Sequence, residues 1–444
     1  MNKALGWIKS NLAIVIIAAV AIIALPTLLF LSARMSTGLR NQVQSEVDED
    51  YRAIQQISAR FRIPSLDPTE PAIEFTRPPN QPTIDLIRER IEDLSNQSEE
   101  FRVVAERRNR EGKRILLGPT VDEALVMIDN GEKPPGLFPE PDSGRETRLR
   151  QEVSSAWIEA HRQALRRNGA GAPPSPQVVL QQLQSRWDQE RSRLMTDGRT
   201  VMDEEDQREL RERLTAERLS LYRQRAQDSS FYADMSVFAG VSPWTEASLP
   251  TLPTIWDWQH RLWVHEDLLA AIARANIDPD TGAPRFVPEA AVKRVERIRV
   301  NPWRFDEAGA TPSTGGNISS EISRNFDASI TGRAGWPLRP NPLYDTRYAE
   351  LTLIVASDKI IDLINGFSAV NFMTVIDIDI EHVDHQSALA QGYVYGADHV
   401  VRARITVETL WLRSWMSRLM PPEVRNAVGV GEGGGASGAS NIEF

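Results

Sequence analysis

Hydrophobic and polar positions divide the chain into segments of different period. The first is LAIVIIAAVAIIALPTLLFLSA at 12–33, an uncharged apolar run of about the length that crosses a bilayer as a helix. It predicts one transmembrane helix after a short head at 1–11. The run is too long for the apolar region of a secretory leader, and Leu31 stands where cleavage would need a small residue, so the helix is expected to stay as an anchor. Beyond it Leu39, Val43, Val47, Tyr51, Ile54, Ile57 and Phe61 return at steps of three and four, which predicts a helical stalk over 34–62. Pro64, Pro68, Pro71, Pro78, Pro79 and Pro82 then make 63–83 a linker, because proline lacks the N–H that a helix uses.

Thr83 is expected to cap the next helix. There Ile84, Ile87, Ile91, Leu94, Ser98, Phe101 and Ala105 alternate steps of three and four, the spacing of a coiled-coil seam. Ile84, Ile87, Ile91, Leu94 and Phe101 predict an interface that needs a partner helix, from this chain or another. The region 84–228 is expected to be helical throughout. Breaks are set by Pro134, Pro135, Pro139 and Pro141, by GAGAPPSP at 169–176 and by Thr196-Asp197-Gly198, and a helix is expected over 145–167. Its many charges predict a solvated face with pairs four residues apart. Residues 229–256 are expected to be a linker.

From 254 the pattern changes. TIWDWQHRLWVHEDLLAAIARAN predicts a helix, and AVKRVERIRV predicts a strand, followed by a long loop at 301–341. YAELTLIVAS alternates as a strand and leads into a short helix, capped by Ser357, that carries Ile360, Leu363, Ile364 and Phe367. FMTVIDIDIEHV and VVRARITVETLW alternate again. The order α-β-β-α-β-β over 257–412 predicts an α+β, ferredoxin-like module: a four-stranded antiparallel sheet with both helices on one face and the other left for water or a partner. The remainder, 413–444, ends in GVGEGGGASGAS and is expected to be a flexible tail.

One stretch concentrates the chemically capable side chains. IDIDIEHVDH at 376–385 holds Asp377, Asp379, Glu381, His382, Asp384 and His385. In a strand, however, successive side chains point to opposite faces, so the three acids part from His382 and lie roughly 7 Å from one another. That spacing is poor for one shared metal ion. If 375–383 and 400–408 pair as a hairpin around Gln391-Gly392, Asp379 falls opposite Arg404 and Glu381 opposite Arg402. The same register sets Ile378 against Ile405, Ile380 against Ala403 and His382 against Val401 on the inner face. The stretch is therefore expected to be a register device, with no metal, cofactor or catalytic residue assigned. The acids and histidines of the Trp-rich helix, His260, His265, Glu266 and Asp267, scatter around it and predict packing and partner contacts.

Composition changes this picture little. A net charge of −10 argues against a nucleic-acid partner, and the lack of cysteine removes disulfides and thiolate chemistry. The triad Gly429, Gly431 and Gly434 formally matches a dinucleotide fingerprint, but no strand precedes it and no helix follows. Lys3 and Lys9 precede the apolar run, whereas Glu46, Asp48, Glu49 and Asp50 follow Arg34 and Arg40. The balance places the bulk of the chain outside the cytoplasm.

An N-terminal anchor, a coiled stalk and a terminal αββαββ module together resemble the PilO-type proteins of the type IV pilus inner-membrane alignment complex, and more distantly the GspM-type proteins of type II secretion. The local likeness is carried by YAELTLIVASDKIIDLINGFSAVNFMTVIDIDIEHV. The resemblance implies a single-pass inner-membrane protein with its bulk in the periplasm and no catalytic residues. It would be a scaffold that binds other pilus or secretion proteins as a homo- or heterodimer. A membrane-tethered ligand-binding or sensor module is the competing expectation.

Overall fold

The computed structural model describes residues 12–56, 59–63, 71–77, 80–195, 202–303 and 343–428. The chain divides into two compact units, Met1–Val103 and Val104–Phe444.

In the first unit, helix α1 (Leu12–Gln56) runs for 45 residues. Its apolar side chains, among them Ile17, Ile22 and Leu29, are exposed, and it is the one helix among the described residues long and apolar enough to cross a membrane. The helix covers the expected stalk as far as Gln56 and stops short of its end at 62. Phe61 lies instead in strand β1 (Ala59–Ile63), paired antiparallel with β2 (Ile73–Arg77) inside the expected linker. Phe61 stands opposite Phe75 with ring centroids 5.5 Å apart, and Arg60 reaches Glu74 at 2.6 Å. The alternation of Arg60, Phe61 and Arg62 is a period of two, which the three-and-four spacing of the preceding residues masks. Ile57 and four of the six linker prolines lie outside the described residues.

Helix α2 (Gln81–Arg110) follows. Its cap is Asn80 rather than Thr83: the Asn80 side-chain oxygen accepts from the Thr83 amide at 3.1 Å and from its hydroxyl at 2.8 Å. Pro82 is accommodated because the first turn has no use for its missing N–H. Of the seam, Ile84, Ile91 and Phe101 are exposed by 42%, 57% and 66%, while Ile87 and Leu94 are half-buried.

The second unit is organised by four antiparallel strands, β5 (Val292–Val300), β6 (Tyr344–Ala356), β7 (Met373–His382) and β8 (Val400–Leu412), in spatial order β5-β6-β8-β7. Two-residue strands β3 (Ala170–Gly171) and β4 (Phe231–Tyr232) extend the sheet past β5 in parallel, making six strands. Helices α7 (Leu252–Ala275) and α8 (Ile360–Val370) join the core formed by Leu351, Leu353, Ala403, Ile405 and Val407. Ser357 does not cap α8; it opens a 3-10 turn, and Lys359 stands at the helix start without a side-chain cap bond.

The core is wider than the expected module. Ile115, Val121, Phe138, Trp157 and Leu165 belong to the same buried cluster, and so do Trp415, Met416, Leu419 and Val424. Helices α3 (Val121–Asp129) and α4 (Glu146–Arg167) therefore belong to the unit that contains the sheet, not to a separate helical region. The expected linker at 229–256 supplies β4 and buried Phe238. The expected tail supplies α10 (Arg413–Met416) and α11 (Pro422–Ala427). Helices α5 (Pro176–Leu194), α6 (Glu204–Gln227) and α9 (His385–Ala390) complete the described α-helices. The proposed break at 196–198, residues 304–342 and residues 429–444 lie outside the described residues.

One end of the outer sheet face is covered. Ala226, Tyr232, Val287, Ile354, Val383, Ala388, Tyr395 and Val400 form a second buried cluster there.

Candidate functional site

Strands β7 and β8 set Asp379 opposite Arg404, Glu381 opposite Arg402, Ile378 opposite Ile405, Ile380 opposite Ala403 and His382 opposite Val401. The alternation in sequence defines this register. The charged tips depart from it. Arg404 reaches diagonally to Glu381 at 2.9 Å. Arg402 forms its closer pair with Glu296 of β5, at 2.7 Å across β6, and approaches Glu381 only to 3.9 Å. Asp379 forms no ion pair with a described residue. A bulge between Val375 and Asp377 interrupts the ladder.

The connection is not a tight hairpin. The Asp384 carboxylate accepts from the amides of Gln386 and Ser387 at 2.9 and 3.2 Å and so caps α9, which carries His385 away from the strand. Gly392, with φ of +91°, then turns the chain back. The acidic stretch is thus distributed over a strand face, a strand edge and a helix cap. Among the described residues no three His, Cys, Asp or Glu side chains are grouped to hold a metal ion.

The inner face of β7 is only partly covered. Met373 is 5% exposed, Ile378 is half-buried, and Ile380 is 52% exposed. The row expected to lie wholly inward therefore ends in solvent.

A second polar cluster lies in the core, where the scattered residues of α7 were expected to flank partner contacts. Lys113 Nζ donates to both Asp267 oxygens at 2.7 and 2.8 Å, and Asn371 donates to the same carboxylate at 2.7 Å. Arg347, fully buried, donates to the Asp257 carboxylate, to His260 Nδ1 at 2.7 Å and to the Asn301 carbonyl at 2.9 Å. Its guanidinium lies 4.6 Å from the centre of the Trp303 ring. Burial lowers the Arg347 pKa to about 10 against the opposing pull of Asp257.

His161 and His265 form a third group. The Trp157 carbonyl can only accept, so His161 Nδ1 carries the proton it donates there at 2.8 Å. Burial lowers the His161 pKa to about 4, leaving Nε2 an acceptor for His265 Nδ1–H at 2.8 Å. By the same logic His260 accepts from Arg347 through Nδ1 and is protonated on Nε2. Burial holds both His260 and His265 well below the ordinary histidine range.

These groups are enclosed, and each ties α7 to a distant part of the chain. They fix the frame on which the β7 edge is displayed. The signal for them was present: Ile255, Trp256, Trp258, Leu262, Trp263, Val264, Leu268 and Ile272 surround the helix on all sides. A helix apolar all round is buried, and its polar residues must then find partners.

Comparison with family models, with curated proteins and with solved structures finds no match in any of the three.

Proposed function

We propose that the chain is a non-enzymatic scaffold protein, anchored in a bacterial inner membrane by α1, with its bulk in the periplasm. It would act in a type IV pilus or type II secretion-like machine. The observation that carries this reading is the strand order β5-β6-β8-β7 with the chain order α-β-β-α-β-β, which supports the reading of 257–412 as a ferredoxin-like module. That module follows an N-terminal apolar helix and a heptad seam on α2 whose Ile84, Ile91 and Phe101 are exposed, the combination on which the PilO-type resemblance rests. On this reading the seam residues Ile84, Ile87, Ile91, Leu94 and Phe101 pair with a helix of a second subunit, the same chain or a related one. Cross-linking in the native membrane followed by identification of the captured proteins tests the proposal. Recovery of pilus or secretion components is the expected result, and their consistent absence would overturn it.

A further inference from the structure

The two ends of the sheet are finished differently. At one end the sheet tapers through β4 and β3, each two residues long, which leaves little backbone to pair. At the other, β7 offers ten residues whose outer edge has no strand partner among the described residues. An open edge of that length is a template for another strand unless something blocks it.

Three observations define what would fit. The outward row Asp377, Asp379 and Glu381 is acidic, and Asp377 and Asp379 are exposed without an ion pair to a described residue. The inward row passes from buried Met373 to half-buried Ile378 and 52% exposed Ile380, so an apolar shelf continuous with the core is left uncovered. On α8, which packs against β7, Ile361 is exposed by 64%.

A second copy of β7 does not fit. Pairing must keep the apolar rows on one face, because a slip of one residue exchanges the faces. Antiparallel pairing centred on Asp379 sets Asp379 against its counterpart and Asp377 against Glu381, and pairing centred on Ile380 sets Asp379 against Glu381. Parallel in-register pairing sets each acid against itself. Like charges directly opposite are destabilising.

We propose that the β7 edge binds an extended segment of a partner protein in which basic and apolar residues alternate. It would add as a seventh strand, its basic side chains against Asp377, Asp379 and Glu381 and its apolar side chains beside Ile378 and Ile380. Main-chain bonds supply the attachment and the two rows supply register, as in other recognition by strand addition. The proposal concerns the edge itself and does not depend on which machine the protein serves.

The test uses the full chain in an uncharged detergent. The probe is a synthetic peptide of alternating arginine and isoleucine, about ten residues long, the length of a strand. Binding is read by fluorescence anisotropy of the labelled peptide. Two controls accompany it: the same peptide methylated on alternate backbone nitrogens, and a version with glutamate in place of arginine. The expected result is saturable binding, at least tenfold weaker for both controls and for the Asp377→Arg/Asp379→Arg variant. Slowed amide exchange within 377–381 on adding the probe is the second expected result. Equal binding of the methylated peptide would show attraction by charge alone and overturn strand addition, as would unchanged exchange in 377–381. No binding at all would show that the acids only guard the edge against pairing.

Discussion

Lys113 and Asp267 close an ion pair at 2.7 Å, with side-chain exposures of 3% and 12%, across 154 positions of sequence. The pair joins the loop after α2 to the middle of α7, so the helix at the centre of the second unit is held by residues well outside the expected 257–412 module. Removing one partner leaves a charge enclosed without its counterpart. Lys113→Ala is expected to destabilise the unit by about 3–5 kcal/mol, the usual cost of breaking a buried pair. Urea denaturation measures it, and a loss of a few tenths would show that water reaches the pair. A fragment starting at 257 is expected not to fold cooperatively.

Gly366 makes the second test. A Cβ on this residue would stand 2.6 Å from the backbone carbonyl of Ala271 and 3.2 Å from Ala275 Cβ, so α8 approaches α7 only because Gly366 has no side chain. Gly366→Ala should cost about 1–3 kcal/mol by overpacking, even though alanine favours the helix intrinsically. Thermal unfolding of the variant checks the sign, and an unchanged or raised midpoint would mean the helices separate freely.

The pH dependence follows from the enclosed histidines. His161, with its pKa lowered to about 4, and His260 and His265, also held down, are neutral when folded, whereas the unfolded chain takes up these protons near its ordinary pKa of about 6.5. The unfolded state therefore binds more protons below that pH, and stability is full above about 6.5 and falls with acidification. Asp345 acts in the opposite sense. Burial outweighs its Arg413 partner and raises its pKa to about 6, so below that pH the folded state gains one proton that the unfolded chain takes up only in more acid solution. Glu266, which burial also pushes up, opposes the histidines in the same sense, so three protons against one or two leave a net of about one to two, or about 1.4–2.7 kcal/mol per pH unit at the steepest. Denaturation at pH 7, 6 and 5 measures the slope, and constant stability over that range would contradict it. His260→Gln should make the slope shallower.

On the open face, the coupling should lie between Glu381 and Arg404. The register opposes Arg404 to Asp379, but its guanidinium lies on Glu381, and the two paired side chains are 35% and 58% exposed. Glu381→Arg is expected to lose some tenths of a kcal/mol, which Arg404→Glu restores in part. The same cycle on Asp379 and Arg404 should show little coupling. A double-mutant cycle by chemical denaturation separates the pairs, and coupling found only with Asp379 would reverse the assignment.

Elements whose burial follows one simple period were legible. The long apolar helix, the four long strands in their chain order, the helix at 145–167 and all five cross-strand pairs could be read because alternation and spacing state which face is covered. What escaped has a physical cause in each case. Trp415, Met416 and Leu419 are too few to show a period, and the glycine-rich sequence after them draws the eye to the tail. Phe231 and Tyr232 join the sheet through two residues, below the length at which alternation can be counted. Asp257, His260 and Asp267 look like solvent-facing polar positions until α7 is known to be enclosed. The open end of the β7 shelf could not be foreseen, since alternation gives the face of Ile380 but not how far the cover extends.

Asn109 ties the end of α2 to the far end of β8 and to α10. Its side-chain oxygen accepts from the Leu412 amide and from Trp415 Nε1, both at 2.9 Å, and its amide nitrogen donates to the Leu410 carbonyl at the same distance. Its partners lie about 300 positions downstream, so they leave a ribosome long after it does. The early residues of the second unit must wait for them, because contacts of such separation form only when the intervening chain has been made. The unit closes like a clasp once the segment 410–415 has been made, and until then the Trp-rich helix has no finished enclosure. A nascent chain held short of Leu410 should therefore remain open to proteases and chaperones, and extending it past Val428 should close it in one step.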